Sequence, residues 1–380
     1  MSYFIYYKFI LCFMKNLISE GSAKFIASTD EVPSKRMEVF YNPRMKHNRD
    51  IAIIVNSIIS KSDMKIALPL CGSGIRGIRF LKELPNAMIS KIYFNDSNPK
   101  AIEALKENLR INNIYEKVEL SNKKADEFFA SSKTSFDYID IDPFGSPIFF
   151  IQDAIKHIKN DGIIAITSTD TSALCGTYPK ACLRRYFAQP IHNFLMYEAG
   201  LRILIMASQR EGARFGIALY PILAYSKDHY LRAFLLAKKS KSQADSLLNG
   251  HSFLHFNPKT FNIALTESNM KSNPDELIAG PLYTRKLLSI SLQNRYSNFS
   301  NDKELMKFLG RLCDEKDAHP FYIDLHELAK RFSLELKPIN SIIDAIKKKG
   351  LFASRTHFLD TAIKTDAKIE ELISIIKQEN

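Results

Sequence analysis

The feature that most constrains the fold is a buried strand pattern that ends abruptly, in the run FDYIDIDPFGSP at residues 136–147. Parallel sheets carry ligand-binding residues at the carboxyl ends of their strands, so Asp142, Pro143 and Phe144 are expected on the floor of a cleft. A carboxylate there can accept an N–H hydrogen bond, proline fixes the turn, and an aromatic ring can stack on a planar base. The alternative interpretation is a plain Pro-Gly turn with surface acids.

Strand-like and helical patterns alternate from about residue 50 to residue 225. Strands are predicted at residues 65–70, 91–96, 117–120, 136–142, 162–168 and 215–225, and helices at residues 99–112, 148–158 and 191–208, with Asn98 as an N-cap. This alternation predicts an α/β fold, an open Rossmann-like parallel sheet with helices on both faces. A hairpin formed by residues 220–226 and 230–237 is expected to close the sheet antiparallel.

The length of 380 residues is enough for two domains. Residues 1–13 are apolar but too short to span a bilayer, and they are expected to be a disordered extension without a membrane role. Residues 14–237 are predicted to form the main domain and residues 238–380 a smaller α+β domain. Within the latter, residues 238–300 have the composition of a linker, while residues 301–360 indicate helices and a hairpin in a winged-helix-like arrangement.

Charge and cysteine usage narrow the function further. The net charge of +12 and the pI of about 9.2 favour a polyanionic partner. Five cysteines without CxxC pairs, and histidines without HxxxH spacing, indicate a reduced, cytoplasmic protein without a metal site.

A glycine-rich turn follows the first strand of the alternating region. Gly72, Gly74 and Gly77 satisfy the GxGxxG pattern, and Asp96 ends the next strand at the place expected for an acid that binds ribose hydroxyls. The glycine-rich turn and Asp96 alone do not distinguish NAD from S-adenosylmethionine, since both cofactors carry a ribose. The Asp-Pro-Phe base pocket, and the lack of a marked proton relay, favour S-adenosylmethionine and methylation of an exocyclic amine. Arg49 or Arg76 is expected to pair with the cofactor carboxylate.

Several further motifs occur in one order along the chain: FYNPRM before residue 50, GIRGIRF at residues 74–80, DIDPFGSP at 140–147, LCGTYPKACLRRY at 174–186, AYSKDHYLRAF at 224–234 and SRTHF at 354–358. With these motifs the chain resembles the tRNA (guanine-26-N2) dimethyltransferase family from about residue 20 to residue 364.

The resemblance implies a class I methyltransferase that transfers methyl groups from S-adenosylmethionine to the exocyclic amine of guanine 26 in tRNA, once or twice. It implies cofactor ligands at Arg49, Arg76 and Asp96 and a catalytic carboxylate at Asp142. Ala125 is expected to bind the adenine through its backbone, with Asp126 as the alternative after a register shift. Some members of the family carry a cysteine-ligated zinc. Because Cys313 is the only cysteine after Cys182, that site is not expected here.

Two other functions stay open on the sequence. The first is an amino-methyltransferase acting on DNA or on a protein amide, which would use the same Asp142-Pro143-Phe144 chemistry. The second is a non-catalytic tRNA-binding protein with a vestigial methyltransferase fold. An NAD oxidoreductase is a further alternative. It would be recognised by its cofactor, because NAD instead of S-adenosylmethionine would raise the melting temperature of the protein. A monomer is expected, and the choice between mono- and dimethylation depends on the fit of the pocket.

Overall fold

The computed structural model describes residues 17–27, 37, 39–292, 299 and 301–378, so the predicted extension at residues 1–13 lies outside the described residues. The strands are β1 (Leu17–Glu20), β2 (Ala23–Ile26), β3 (Met64–Leu68), β4 (Ile89–Asn95), β5 (Val118–Ser121), β6 (Phe136–Ile141), β7 (Ile158–Ser168), β8 (Ile217–Lys227), β9 (Tyr230–Lys239), β10 (His251–Phe256), β11 (Ile263–Thr266), β12 (Leu277–Tyr283), β13 (Ile323–Asp324), β14 (Ala353–Arg355) and β15 (Ala362–Thr365).

The α-helices are α1 (Lys46–Ile59), α2 (Ile75–Glu83), α3 (Pro99–Ile111), α4 (Ala125–Ser131), α5 (Ile148–His157), α6 (Thr171–Leu174), α7 (Pro179–Tyr186), α8 (Met196–Arg214), α9 (Lys241–Leu248), α10 (Lys303–Asp314), α11 (Leu325–Phe332), α12 (Ile339–Lys348) and α13 (Ile369–Gln378). Short 3-10 helices lie at Pro43–Met45 and Asn86–Met88. None of the helices in the described part of the chain is long and apolar enough to cross a membrane.

The main sheet has the strand order β5-β4-β3-β6-β7-β9-β8. Strand β3 pairs in parallel with β4 and β6, and β4 pairs in parallel with β5, whereas β8 and β9 form an antiparallel hairpin. Every residue of β6 is buried, as expected for a central strand covered on both faces. The predicted Rossmann-like α/β class and its antiparallel closing hairpin are therefore confirmed.

The described residues divide into two compact units. The first contains residues up to 144 and residues 150–165, and the second contains residues 145–149, 166–292 and those from 299 onward. The predicted domain boundary between residues 237 and 238 falls within β9. That division into domains stays a prediction.

In the first unit, the β1–β2 hairpin is held by two asparagine side chains of the α3 segment. Asn108 Oδ1 accepts from the backbone N–H of Ile26 at 2.6 Å, and Asn112 Oδ1 accepts from that of Lys24 at 3.0 Å. Both amides donate back to the carbonyls of the same two residues. The two side chains thus replace a neighbouring strand, which satisfies the hairpin backbone and fixes its position.

In the second unit, the predicted linker at residues 238–300 is wrong for most of its length. It contains α9 and a three-stranded antiparallel sheet in the order β11-β10-β12. The alternation of apolar and polar residues that identifies strands is interrupted here, because β10 shifts register against β12 between Ser252 and Leu254. A histidine in this strand also suggests a surface position from the sequence. In the structure His255 is buried, and its ring is hydrogen-bonded to Glu276 and to the carbonyl of Ser268.

The C-terminal part of the second unit contains α10, α11 and α12, and a small sheet in the order β13-β15-β14. The expected hairpin is present but joins β14 to β15, so it reaches residue 365 instead of 358. This part is tied to α8 by the buried carboxylate of Glu198. Glu198 accepts from Arg202, from Lys364 Nζ at 2.9 Å and from the backbone N–H of Phe321 at 2.9 Å.

Candidate active site

The glycine-rich turn joins β3 to α2 and is fixed by the acid at the end of the neighbouring strand. Gly74 is the N-cap of α2 and has a left-handed backbone (φ 77°), which favours glycine. The backbone N–H of Gly72 donates to Asp96 Oδ2 at 2.8 Å, and that of Asn98 donates to Asp96 Oδ1 at 2.9 Å. The structure therefore brings the predicted Gly72, Gly74 and Asp96 together at the carboxyl ends of β3 and β4.

Arg76, in the first turn of α2, connects this turn to the end of β6. Its Nη2 forms an ion pair with Asp142 Oδ2, and its Nε lies 3.6 Å from Asp140 Oδ2. The remaining nitrogen, Nη1, is buried and has no hydrogen-bond partner among the described residues. A buried donor without an acceptor is costly, so this nitrogen suits a carboxylate supplied by a ligand.

Arg49, the other predicted cofactor ligand, is buried against an acid that sequence reasoning missed. Its Nε and Nη2 donate to the two carboxylate oxygens of Glu20 at 2.6 and 2.5 Å, and its guanidinium lies over the ring of Tyr41. Burial by itself would raise the pKa of Glu20, but hydrogen bonding and charge from Arg49 and Arg79 prevail and lower it to about 2. No local sequence signal points to Glu20, because its partner is 29 residues away.

The turn after β6 carries the three predicted catalytic residues. The side chain of Asp142 is 21% exposed, Pro143 is buried, and the ring of Phe144 is 40% exposed. The ring of Phe40 meets Phe144 edge to face, with centroids 4.4 Å apart. Phe40 lies in the FYNPRM motif, but no sequence pattern pairs it with Phe144. The arrangement places a carboxylate next to an accessible aromatic surface.

The residues that directly follow Phe144 are held by the segment after β7. Gly145 donates its N–H to Thr169 Oγ1 at 2.7 Å and accepts from the N–H of Thr169 at 3.0 Å. Ser146 accepts from the hydroxyl of Tyr186 at 2.7 Å, and that hydroxyl lies 3.0 Å from buried Asp170. These bonds fix the backbone exit of the turn, and sequence reasoning predicted none of them.

The predicted adenine contact lies at the start of α4. Ala125 is the first residue of that helix and is buried, while Asp126 is exposed. Cys175 and Cys182 are also buried, and burial raises the pKa of each thiol to about 12. Neither thiol is therefore a nucleophile near neutral pH, and both serve in packing.

Known proteins match this chain over nearly its whole length. The family described as N2,N2-dimethylguanosine tRNA methyltransferase matches residues 21–377. The chain belongs to this family. A tRNA (guanine(26)-N(2))-dimethyltransferase of Pyrococcus furiosus is 35% identical over 385 aligned residues, covering 95% of this chain and 98% of the relative. A tRNA (guanine(26)-N(2)/guanine(27)-N(2))-dimethyltransferase of Aquifex aeolicus is also 35% identical, covering 95% and 96%.

A solved member of the family shares the fold of this chain. The structure of Trm1 from Pyrococcus horikoshii, in complex with S-adenosyl-L-methionine, superposes with a TM-score of 0.83 at 32% identity and covers 95% of this chain and 99% of its own. The predicted family, the fold class and the class of enzyme, a tRNA (guanine-N2) methyltransferase, are confirmed. The roles assigned to individual residues stay predictions.

Proposed function

We propose that this enzyme transfers one or two methyl groups from S-adenosyl-L-methionine to the exocyclic N2 amine of guanine 26 in tRNA. The observation that carries the proposal is the turn after β6, where the Asp142 carboxylate lies beside the accessible ring of Phe144. A carboxylate and an aromatic surface on adjacent residues are what an aromatic amine needs for recognition and deprotonation.

The residues at the ends of β3 and β4 fit the cofactor. S-adenosyl-L-methionine supplies a methyl group on a positively charged sulfur, which is a good leaving group. Arg76 would hold the cofactor carboxylate through its unpartnered Nη1, and Asp96 would accept from the ribose hydroxyls. Gly72 and Gly74, whose left-handed backbones form this turn, would contact the cofactor through their main chain, and Ala125 would contact the adenine.

Arg49 is proposed to complete the binding site for the cofactor carboxylate. Its ion pair with Glu20 fixes the plane of the guanidinium, so that little side-chain entropy is lost when the ligand binds.

Asp142 would accept one N–H of the guanine amine, and a backbone carbonyl of the turn would accept the other. This localises the nitrogen lone pair, which is otherwise delocalised into the ring. Asp142 then removes a proton as positive charge develops on nitrogen. The ion pair with Arg76 sets the direction of the carboxylate before substrate arrives.

Phe144 would stack on the extruded guanine, which is worth about 1–3 kcal/mol by the usual size of base–aromatic contacts. Its edge-to-face contact with Phe40 supports the ring on one side. Extrusion of the base costs a few kcal/mol, which phosphate contacts made by the basic chain would offset.

We also propose that residues 238–380 bind the tRNA, including the winged-helix-like part at residues 301–360. The enzyme would act as a cytoplasmic monomer without a metal ion. The proposed tRNA binding rests on the net charge of +12 and on the C-terminal motifs, and the cytoplasmic, metal-free state rests on the cysteine and histidine usage.

The test is incubation of the purified protein with S-adenosyl-L-methionine and unmodified tRNA transcripts, followed by nucleoside mass spectrometry. We expect N2-methylguanosine or N2,N2-dimethylguanosine at position 26, and its loss in a transcript with adenine 26. A methylated guanine at another position only would contradict the proposed site. Cofactor binding without any methylated tRNA would favour a DNA or protein amine instead.

A further inference from the structure

Helix α7 presents an exposed surface that combines large apolar side chains with basic ones. We name it the α7 surface, and it consists of Tyr178, Lys180, Leu183, Arg184 and Phe187. Tyr178 is 62%, Leu183 57% and Phe187 65% exposed, and Lys180 and Arg184 are exposed as well. Three large exposed apolar side chains within ten residues are more than the solvent-exposed surface of a globular protein usually contains.

The surface follows from the period of the helix. Lys180, Leu183, Arg184 and Phe187 are spaced i, i+3, i+4 and i+7, so they share one face. The opposite face contains Cys182 and Tyr186, which are both fully buried. Lys180, Leu183 and Arg184 therefore form the exposed face of a packed helix, with Tyr178 at its N-cap and Phe187 at its C-cap.

The charge of this surface has one sign. Residues 171–187 contain three basic residues and no acidic one. Arg185 is paired with buried Asp170. Within the described part of the chain, Lys180 and Arg184 make no ion pair or side-chain hydrogen bond, so both are available to a partner. The guanidinium of Arg210 lies 5.9 Å from the centre of the Phe187 ring and adds another cation at the edge.

The surface is attached to the segment that follows the catalytic turn. Tyr186 of α7 donates to Ser146, and Gly145 is bonded twice to Thr169, which precedes Asp170. The segment that carries α7 is therefore tied to the residues that directly follow this turn. The basic charge and the exposed aromatic rings favour a nucleic acid over a protein as the occupant of the surface.

We infer that the α7 surface binds the substrate tRNA. Lys180 and Arg184 contact phosphates, and Tyr178 stacks on an unpaired base of the tRNA. The backbone N–H of Tyr178 is fixed to the carbonyl of Ser172 at 2.8 Å, so the ring is presented from a rigid position. This inference rests on the proposed function and assigns a part of the tRNA contact to the methyltransferase half of the chain.

The test uses the full chain and an unmodified tRNA transcript, and compares two matched double variants. Lys180→Ala with Arg184→Ala removes a Lys–Arg pair four residues apart on α7, and Lys106→Ala with Arg110→Ala removes the same pair from the exposed face of α3. We expect the α7 variant to weaken tRNA binding on the order of tenfold and to lower the slope of log K against log salt by about 1.5, since each phosphate contact contributes roughly 0.7–0.9. The α3 variant should change neither quantity.

Stacking is tested separately with Tyr178→Ala and Tyr178→Phe. The alanine variant should raise the KM for tRNA several-fold with cofactor affinity unchanged, and the phenylalanine variant should behave as wild type. The inference would be overturned if both double variants weakened tRNA binding equally. It would also be overturned if the α7 variant bound tRNA like wild type while wild type methylates tRNA, and a protein partner would then be the occupant. A wild-type protein that does not methylate tRNA would overturn the proposed function instead.

Discussion

Thr169 and Gly145 hydrogen-bond to each other in both directions, through the N–H and hydroxyl of the threonine and through the N–H and carbonyl of the glycine. Gly145 has a left-handed backbone (φ 83°) and immediately follows the ring proposed to stack on the substrate base. A hydroxyl 24 residues away thus fixes the backbone on one side of the catalytic turn. Thr169 is a positioning residue in this arrangement, since it acts through Gly145.

Thr169→Val keeps the shape of the side chain but removes the acceptor for the Gly145 N–H. We expect kcat to fall roughly tenfold to a hundredfold, because small displacements of a reacting group cost that much. The melting temperature and the affinity for S-adenosyl-L-methionine should change little. Thr169→Ser retains the hydroxyl and should restore kcat. Equal losses in both variants would show that the methyl group, and not the hydrogen bond, is needed.

Asp142→Asn keeps the size of the catalytic side chain but removes its charge and its basicity. We expect turnover to fall by about 10²–10⁴-fold, the usual contribution of a positioned proton acceptor. Calorimetric titration should show that S-adenosyl-L-methionine still binds. Glu103→Gln removes an exposed carboxylate of α3 and serves as the control, with turnover as in wild type. Near-normal turnover of Asp142→Asn would contradict the role of this carboxylate.

Gly77→Ala tests the close packing of α2 on the sheet. A Cβ at this position would lie 2.3 Å from Phe94 Cε1 and 2.7 Å from Leu68 Cδ1. We expect a loss of about 1–3 kcal/mol of stability from overpacking, with weaker cofactor binding, because the displaced helix carries Arg76. At Gly310, within α10, no described residue outside the helix's own adjacent backbone has an atom within 4 Å of such a Cβ, so Gly310→Ala should stabilise by up to about 1 kcal/mol. Thermal unfolding of both variants gives the comparison.

The Glu20–Arg49 ion pair predicts a pH dependence of stability. The pKa of Glu20 is lowered from near 4.5 to about 2 in the folded chain, so the folded state binds this proton less readily than the unfolded state. Its stabilisation of about 3 kcal/mol is therefore fully present above pH 4.5 and is lost as the pH falls towards 2. In urea unfolding, Glu20→Gln should be less stable than wild type at pH 7, and the difference should shrink between pH 5 and 3. A difference independent of pH would contradict this assignment.

Much of the main sheet could be predicted because its signals are local. The strand predicted to end at Asp142 ends at Ile141, and Asn98 caps α3 as expected, with its side chain accepting from the N–H of Lys100. Helix α8 begins at Met196 instead of residue 191, because Asn193 forms a side-chain turn with the N–H of Leu195 that delays the first helical residue. A short polar side chain competing with the backbone leaves no mark on the apolar pattern.

The candidate site was predicted in its residues but not in its supports. Asp142, Asp96 and Arg76 lie at strand ends or in a glycine-rich turn, where spacing along the chain is informative. Glu20 and Thr169 act on partners 29 and 24 residues away, and only the folded backbone brings these pairs together. The β10–β12 sheet was missed for a related reason, since its bulge breaks the alternation that identifies strands.

The carboxylate of Glu198 has a consequence for how the chain can be divided. Three of the groups that bind it lie on Arg202, Phe321 and Lys364. A fragment that ends at residue 237 would retain only Arg202 of these three, so the buried carboxylate of Glu198 would lack its other two partners. Replacing the last 80 or so residues by those of a distant relative would leave Glu198 in the same unpaired state, unless Glu198 were replaced as well. We therefore expect α8 and the C-terminal residues to be inherited together.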